Sequence, residues 1–211
     1  MQKYILFVGT ILTLLSCNGN SGKKLPILGE RQLVEKTVDG KKMIDTIFHK
    51  VGNFSYLDQE GKNITEKNVD KKVYVADFFF TSCPTICPTV KAQMKRVHSK
   101  YKKKEDFMML SYTIDPKRDT VGRLAWYANK LNINPGNWHL LTGNYKSLTK
   151  TAAEYLLSAQ EDPNSPGGFD HSGYIALIDR NRHIRGFYDG TDPKKVDQLI
   201  KDIAVLLNEK H

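Results

Sequence analysis

The chain has 211 residues, a formal net charge of +9, 40% hydrophobic residues and 26% charged residues. This balance suits one soluble globular domain with an N-terminal extension, and a core large enough to fold without a disulfide framework. The positive charge comes with no nucleic-acid motif, so nucleic acid is not an expected partner.

In chain order, Lys3 precedes an apolar stretch, Tyr4 to Leu15, too short to span a bilayer. A positive start followed by a short apolar run has the anatomy of an export signal. Its end, Leu14-Leu15-Ser16-Cys17, resembles the lipobox of bacterial lipoproteins. That resemblance implies removal of residues 1–16, lipid on Cys17 and a place in the bacterial cell envelope, facing the periplasm or the exterior. Residues 17–45 then read as a lipidated N-terminus and flexible tether, since Asn18 to Lys24 is polar and glycine-containing. Residues 46–211 make the folded domain.

Ile47, Val51, Phe54 and Tyr56 alternate weakly before a turn at Asp58-Gln59-Glu60-Gly61, which predicts short strands and a hairpin. Val73 to Phe80 is a continuous apolar run broken only by Asp77, and reads as a buried strand. A helix is predicted from Pro88 to Tyr101, with Val90, Met94, Val97 and Tyr101 on the core face and Lys91, Lys95, Arg96 and Lys100 elsewhere. The lysines at 102–104 read as a solvated helix end in preference to a docking patch. A second strand over 106–114 leads to a helix capped by Asp119, a short strand at 138–141 and a helix over 145–157. A loop at 161–168 precedes a hairpin, 173–179 with 184–188, and a last helix opened by Asp192-Pro193. Strands alternating with helices imply an α/β fold whose largely parallel sheet is covered on both faces. The closing hairpin makes the central sheet mixed, and the whole resembles a thioredoxin-like fold with an N-terminal β-hairpin extension.

Cys83-Pro84-Thr85-Ile86-Cys87 sits where the first core strand hands over to a helix. Residues at i and i+4 share a helical face, so the two sulfurs can meet each other or one metal ion. A helix N-terminus favours the thiolate, which serves redox attack and metal ligation alike. A purely structural disulfide closing so short a loop would contribute little loop entropy. Three residues between the cysteines, instead of the two usual in thioredoxin-like oxidoreductases, and no proline in Phe169-Asp170-His171-Ser172-Gly173 point toward a metal site. His171 lies at the foot of the strand that passes the dithiol, and would add one imidazole to two thiolates. Soft thiolates with imidazole suit copper, while tetrahedral zinc would want a fourth ligand or an open site with water. His49, His98, His139, His183 and His211 lack such a context.

Three stretches, Phe79 to Pro88, Thr113-Ile114-Asp115-Pro116-Lys117-Arg118-Asp119-Thr120, and Asp170-His171-Ser172 leading to Leu177-Ile178-Asp179, together resemble the Sco/SenC family over roughly residues 46–208. The resemblance implies a membrane-tethered, thioredoxin-like copper protein, not an enzyme, that helps assemble the binuclear copper centre of cytochrome c oxidase. Its partner would be the oxidase subunit carrying that centre. It maps copper ligands, for Cu(I) or Cu(II), onto Cys83, Cys87 and His171. It also places an acidic residue, Asp115, near the site, where a helix-capping or turn role is equally open. The competing reading from the same cysteines is a membrane-tethered thiol-disulfide reductase, with Cys83 and Cys87 as the redox pair.

Overall fold

The computed structural model describes residues 24–133 and 136–209. Cys17 and the expected signal segment lie outside them. Part of the stretch read as a tether is ordered into a hairpin, β1 (Arg31–Val38) with β2 (Lys41–Phe48). The stretch alternates poorly and leaves Leu33, Met43, Ile44 and Ile47 exposed, so its composition gave little sign of a strand pair. Its base is fixed by Leu28, which bridges to Ile184, and by Phe48, whose ring meets His183 edge-on at 6.1 Å.

The hairpin expected around Asp58 to Gly61 is β3 (Ser55–Leu57) with β4 (Asn63–Thr65). A short 3-10 helix, Glu66–Val69, leads to β5 (Val73–Phe79). Then follow α1 (Ile86–Tyr101), β6 (Phe107–Thr113), α2 (Val121–Leu131), β7 (Trp138–Leu141) and α3 (Tyr145–Glu154). A small antiparallel pair, β8 (Ala159–Glu161) with β9 (Phe169–His171), flanks the predicted loop. The chain closes with β10 (Tyr174–Ile178), β11 (Ile184–Asp189) and α4 (Pro193–Asn208).

The central sheet runs β11-β10-β5-β6-β7. β5, β6 and β7 are parallel, while β10 pairs antiparallel with both β5 and β11. Side chains alternate across β5 and divide the core in two. Val75, Asp77 and Phe79 face α1, where Lys91 comes within 3.9 Å of the Phe79 ring centroid. The Tyr101 hydroxyl of α1 donates to Ile200 O of α4 at 2.6 Å, so both helices cover this face. Tyr74 and Phe78 face the other way, into an aromatic layer with Tyr112 and Tyr155. Those phenols satisfy one another, with Tyr112 and Tyr155 oxygens 3.0 Å apart, which is how polar groups tolerate such burial.

The exposed edge of β7 is closed by a side chain. Gln59 accepts from Leu140 N–H at 2.8 Å and donates to Trp138 O at 3.2 Å, a peptide-like pairing that blunts the edge.

Candidate metal and thiol site

The end of β5 and the start of α1 set the site. β5 finishes at Phe79, and Cys83 N–H then donates to Phe80 O at 3.2 Å, closing a turn. α1 begins at Ile86, two residues before the expected Pro88, so Cys87 lies in its first turn. Thr85 precedes the helix without a side-chain capping bond. Its hydroxyl lies 3.7 Å from Cys83 Sγ instead. Both cysteines are thiols, Cys83 8% and Cys87 2% exposed.

A helix N-terminus lowers thiol pKa values in general, yet Cys87 departs the other way. The hydrogen bond with Cys83 and then burial push its thiol well up. A backbone bond from Phe80 and the charge of Lys91 pull down and are outweighed. The expectation that the helix terminus favours a Cys87 thiolate is therefore corrected for the metal-free state. In this nearly dry position the neighbouring sulfur and desolvation both favour the neutral thiol. Tyr127 of α2 stacks on Phe79 at 5.8 Å, and its phenol is raised by burial and then by the neighbouring Cys87 and Asp77.

Under the thiols lies a charge pair absent from the sequence reading. Lys91, assigned to the solvent side of α1, is wholly buried. Its Nζ donates to Asp77 Oδ2 at 2.6 Å and to Ser111 Oγ at 2.9 Å. Ser111 also takes the indole N–H of Trp138 at 3.0 Å. The visible signal was Asp77 itself, since an acid inside a buried strand requires a cation or a donor set.

The sequence predicts Asp119 as the cap of α2. Thr120 is the N-cap of α2, accepting from Arg123 N–H at 3.3 Å. Asp119 is fully buried and accepts from Thr81 N at 3.0 Å, Thr81 Oγ1 at 2.6 Å and Thr113 Oγ1 at 2.6 Å. It thereby pins the loop ahead of Cys83 to the end of β6. Asp115 takes the turn role. It accepts from Arg118 Nη1 at 3.1 Å and Arg118 N at 3.4 Å, while its own N–H donates to Thr113 Oγ1 at 3.1 Å.

The segment carrying His171 packs over the cysteine loop. Phe169 and Phe80 rings lie 5.2 Å apart. A Cβ at Gly167 would stand 2.8 Å from the Phe80 ring and 3.3 Å from Pro84 Cδ. A Cβ at Gly173 would stand 3.0 Å from Ile86 Cδ1. Both glycines have positive φ, +84° and +64°, which L side chains rarely adopt. The backbone of His171 lies between these two contacts, paired with Ala159. These contacts place the segment that includes β9 against the first turn of α1, at the end of the sheet where β5 finishes. The remaining described histidines are used elsewhere: His49 Nε2 lies 2.7 Å from Glu154 O and His139 Nδ1 lies 3.0 Å from Asp58 Oδ2.

The SCO1/SenC family profile matches residues 45–208. Among solved structures, a SCO1/SenC family lipoprotein from Bacillus anthracis superposes with a TM-score of 0.69 at 29% identity, over 75% of this chain and 95% of its own. BsSco, from a study of a disulfide switch and a member of the Sco family of cytochrome c oxidase assembly proteins, gives 0.67 at 26% identity, over 77% and 95%. Copper-bound ScoI of Bradyrhizobium japonicum gives 0.61 at 25% identity, over 73% and 99%. With its mixed sheet, its dithiol at the head of α1 and its match along nearly the whole described domain, this chain belongs to the SCO1/SenC family.

Proposed function

We propose that this protein carries copper on Cys83, Cys87 and His171 and passes it on during assembly of the copper centre of cytochrome c oxidase. The observation that carries the reading is the pair of buried, mutually hydrogen-bonded thiols at the start of α1, with the His171-bearing segment packed over them. The donor set fits the cargo. Two soft sulfurs, Cys83 in the turn before α1 and Cys87 in its first turn, suit copper together with an imidazole, and a rim of Phe80, Phe169 and Ile86 keeps water from the thiolates. Loading would remove both thiol protons, and the positive charge of the metal would offset the cost of burying two neighbouring thiolates. Delivery would proceed by ligand exchange to a partner offering a further donor.

The solved structures that this chain resembles include a lipoprotein and an oxidase-assembly protein, which supports a lipid anchor at Cys17 and an oxidase subunit as recipient. Among the described residues, no helix is long and apolar enough to cross a membrane.

A second reading has its own support in the sulfur–sulfur hydrogen bond. As a thiol-disulfide reductase, the Cys83 thiolate would attack a partner disulfide, forming a mixed disulfide and releasing one partner thiolate. Cys87 would lose its proton and attack Cys83 Sγ, forming the Cys83–Cys87 disulfide and releasing the second partner thiolate. Cys83 suits the attacking role because it is the more exposed thiol, whereas Cys87 is held protonated.

Copper titration of the reduced protein separates the readings. Metal retention that needs Cys83, Cys87 and His171 supports the carrier. Full reductase activity in His171→Ala with no copper retained by the parent protein supports the reductase.

A further inference from the structure

The thiols stand at the end of the domain where β5 and β6 finish. The opposite end holds the starts of β5 and β6, the β10–β11 turn and the last turns of α1 and α4. Val73 N–H donates to Asp106 O at 3.0 Å, and Arg180 reaches Asp106 Oδ2 at 3.0 Å and Leu206 O at 2.6 Å. Arg185 holds Leu25 O at 2.6 Å and Glu209 Oε2 at 3.1 Å. The described chain therefore both begins and finishes at the end remote from the dithiol.

That end is basic. Lys72, Lys102, Lys103 and Lys104 line one shallow concavity with Glu105, and Lys71 precedes Lys72. Asp106, the neighbouring acid, is engaged by Arg180. A second concavity there brings Lys50, Lys67, Arg180 and Arg182 together with Glu66 and Asp70. Cations exceed acids in both.

We propose that this basic end rests on an anionic lipid headgroup surface and so holds the dithiol away from the bilayer. Clustered lysines beside a membrane attachment bind anionic headgroups, and the attraction is felt only within about a Debye length, ~8–10 Å. The chain permits that closeness. Cys17 lies eight residues before Leu25, and eight extended residues reach at most about 28 Å. An acidic protein partner is the less suitable occupant, because a copper recipient must reach the thiols at the other end. The orientation rests on the lipid-anchor reading; the charge attraction does not.

The test uses the chain from Asn18 onward, which retains every described element and carries no lipid. Its sedimentation with vesicles of phosphatidylcholine alone is compared with vesicles that also contain phosphatidylglycerol. Binding is expected only to the anionic vesicles, released at high salt and weakened at least about tenfold in K102E/K103E/K104E. Lys117→Glu, an exposed lysine at the thiol end, should bind like the parent chain. Copper stoichiometry should be the same in all variants, which keeps this test separate from the carrier reading. Equal binding to neutral vesicles, no binding to anionic ones, parent-like binding by the triple variant, or an equal loss in Lys117→Glu would overturn the proposal.

Discussion

Asp119 and Thr81 are joined twice, through Thr81 N at 3.0 Å and Thr81 Oγ1 at 2.6 Å, across the mouth of the sheet. The bond pair fixes where the cysteine loop leaves β5. Replacing Asp119 with Ala removes a charged acceptor and leaves a backbone N–H and the Thr113 hydroxyl unsatisfied. A stability loss of about 2–4 kcal/mol is expected. Denaturant unfolding measures it, and copper competition against a chelator should show weaker retention in the same variant.

Lys91→Met strands the Asp77 carboxylate in the core. Both side chains are 1% exposed, so the loss is expected to be about 3–5 kcal/mol. An Asp77→Leu/Lys91→Met double variant should lose less than the single one, because no charge then remains buried. Unfolding midpoints of the three proteins check the order.

Gly167→Ala acts on the lid over the thiols more than on the core. Its φ is +84° and the new methyl would press on the Phe80 ring. Such strain costs about 1–3 kcal/mol if the segment stays in place. Displacement of the short β8–β9 pair avoids it, so copper affinity should fall while the main unfolding transition moves little. Isothermal titration beside thermal unfolding separates the two effects.

The raised Cys87 thiol gives a pH dependence of known sign. An unfolded cysteine ionises near pH ~8.5. The folded one holds its proton to higher pH because of Cys83 and burial. The native state then binds more protons than the unfolded state above that pH, and stability falls as pH rises. The expected slope in the reduced, metal-free protein is up to about 1.4 kcal/mol per pH unit from this group. The window is roughly pH 9 to 10, before the buried tyrosines, raised in the same direction, add their own share. Cys87→Ser should remove the slope inside that window.

Much of this was legible in the sequence because it was written in local patterns. The apolar runs at Val73 and Phe107 became β5 and β6, and the stripe Val196, Leu199, Ile203, Leu206 became the buried face of α4. The dithiol and the His171 strand could be found because their spacing survives projection onto one dimension. Lys91 could not, because helical periodicity alone gives a lysine to solvent, and only the distant Asp77 and Ser111 justify its burial. Asp119 was similarly misassigned, since a polar residue before a helix reads as a cap unless its tertiary partners Thr81 and Thr113 are known. The β1–β2 hairpin was missed because both of its faces mix exposed apolar and charged residues, which leaves no period-2 signal.

The central claim is that copper is held by two thiolates and the imidazole of His171. It is tested most directly by titrating reduced protein with copper beside His171→Ala, reading stoichiometry and the sulfur-to-copper charge-transfer band. The account predicts one copper per parent chain, retained against a competing chelator, and a band that shifts with at least about a tenfold loss of affinity in the variant, since loss of even an outer-shell partner typically costs about that much. Identical affinity and spectrum in His171→Ala, or no copper retained by the parent protein, would contradict it.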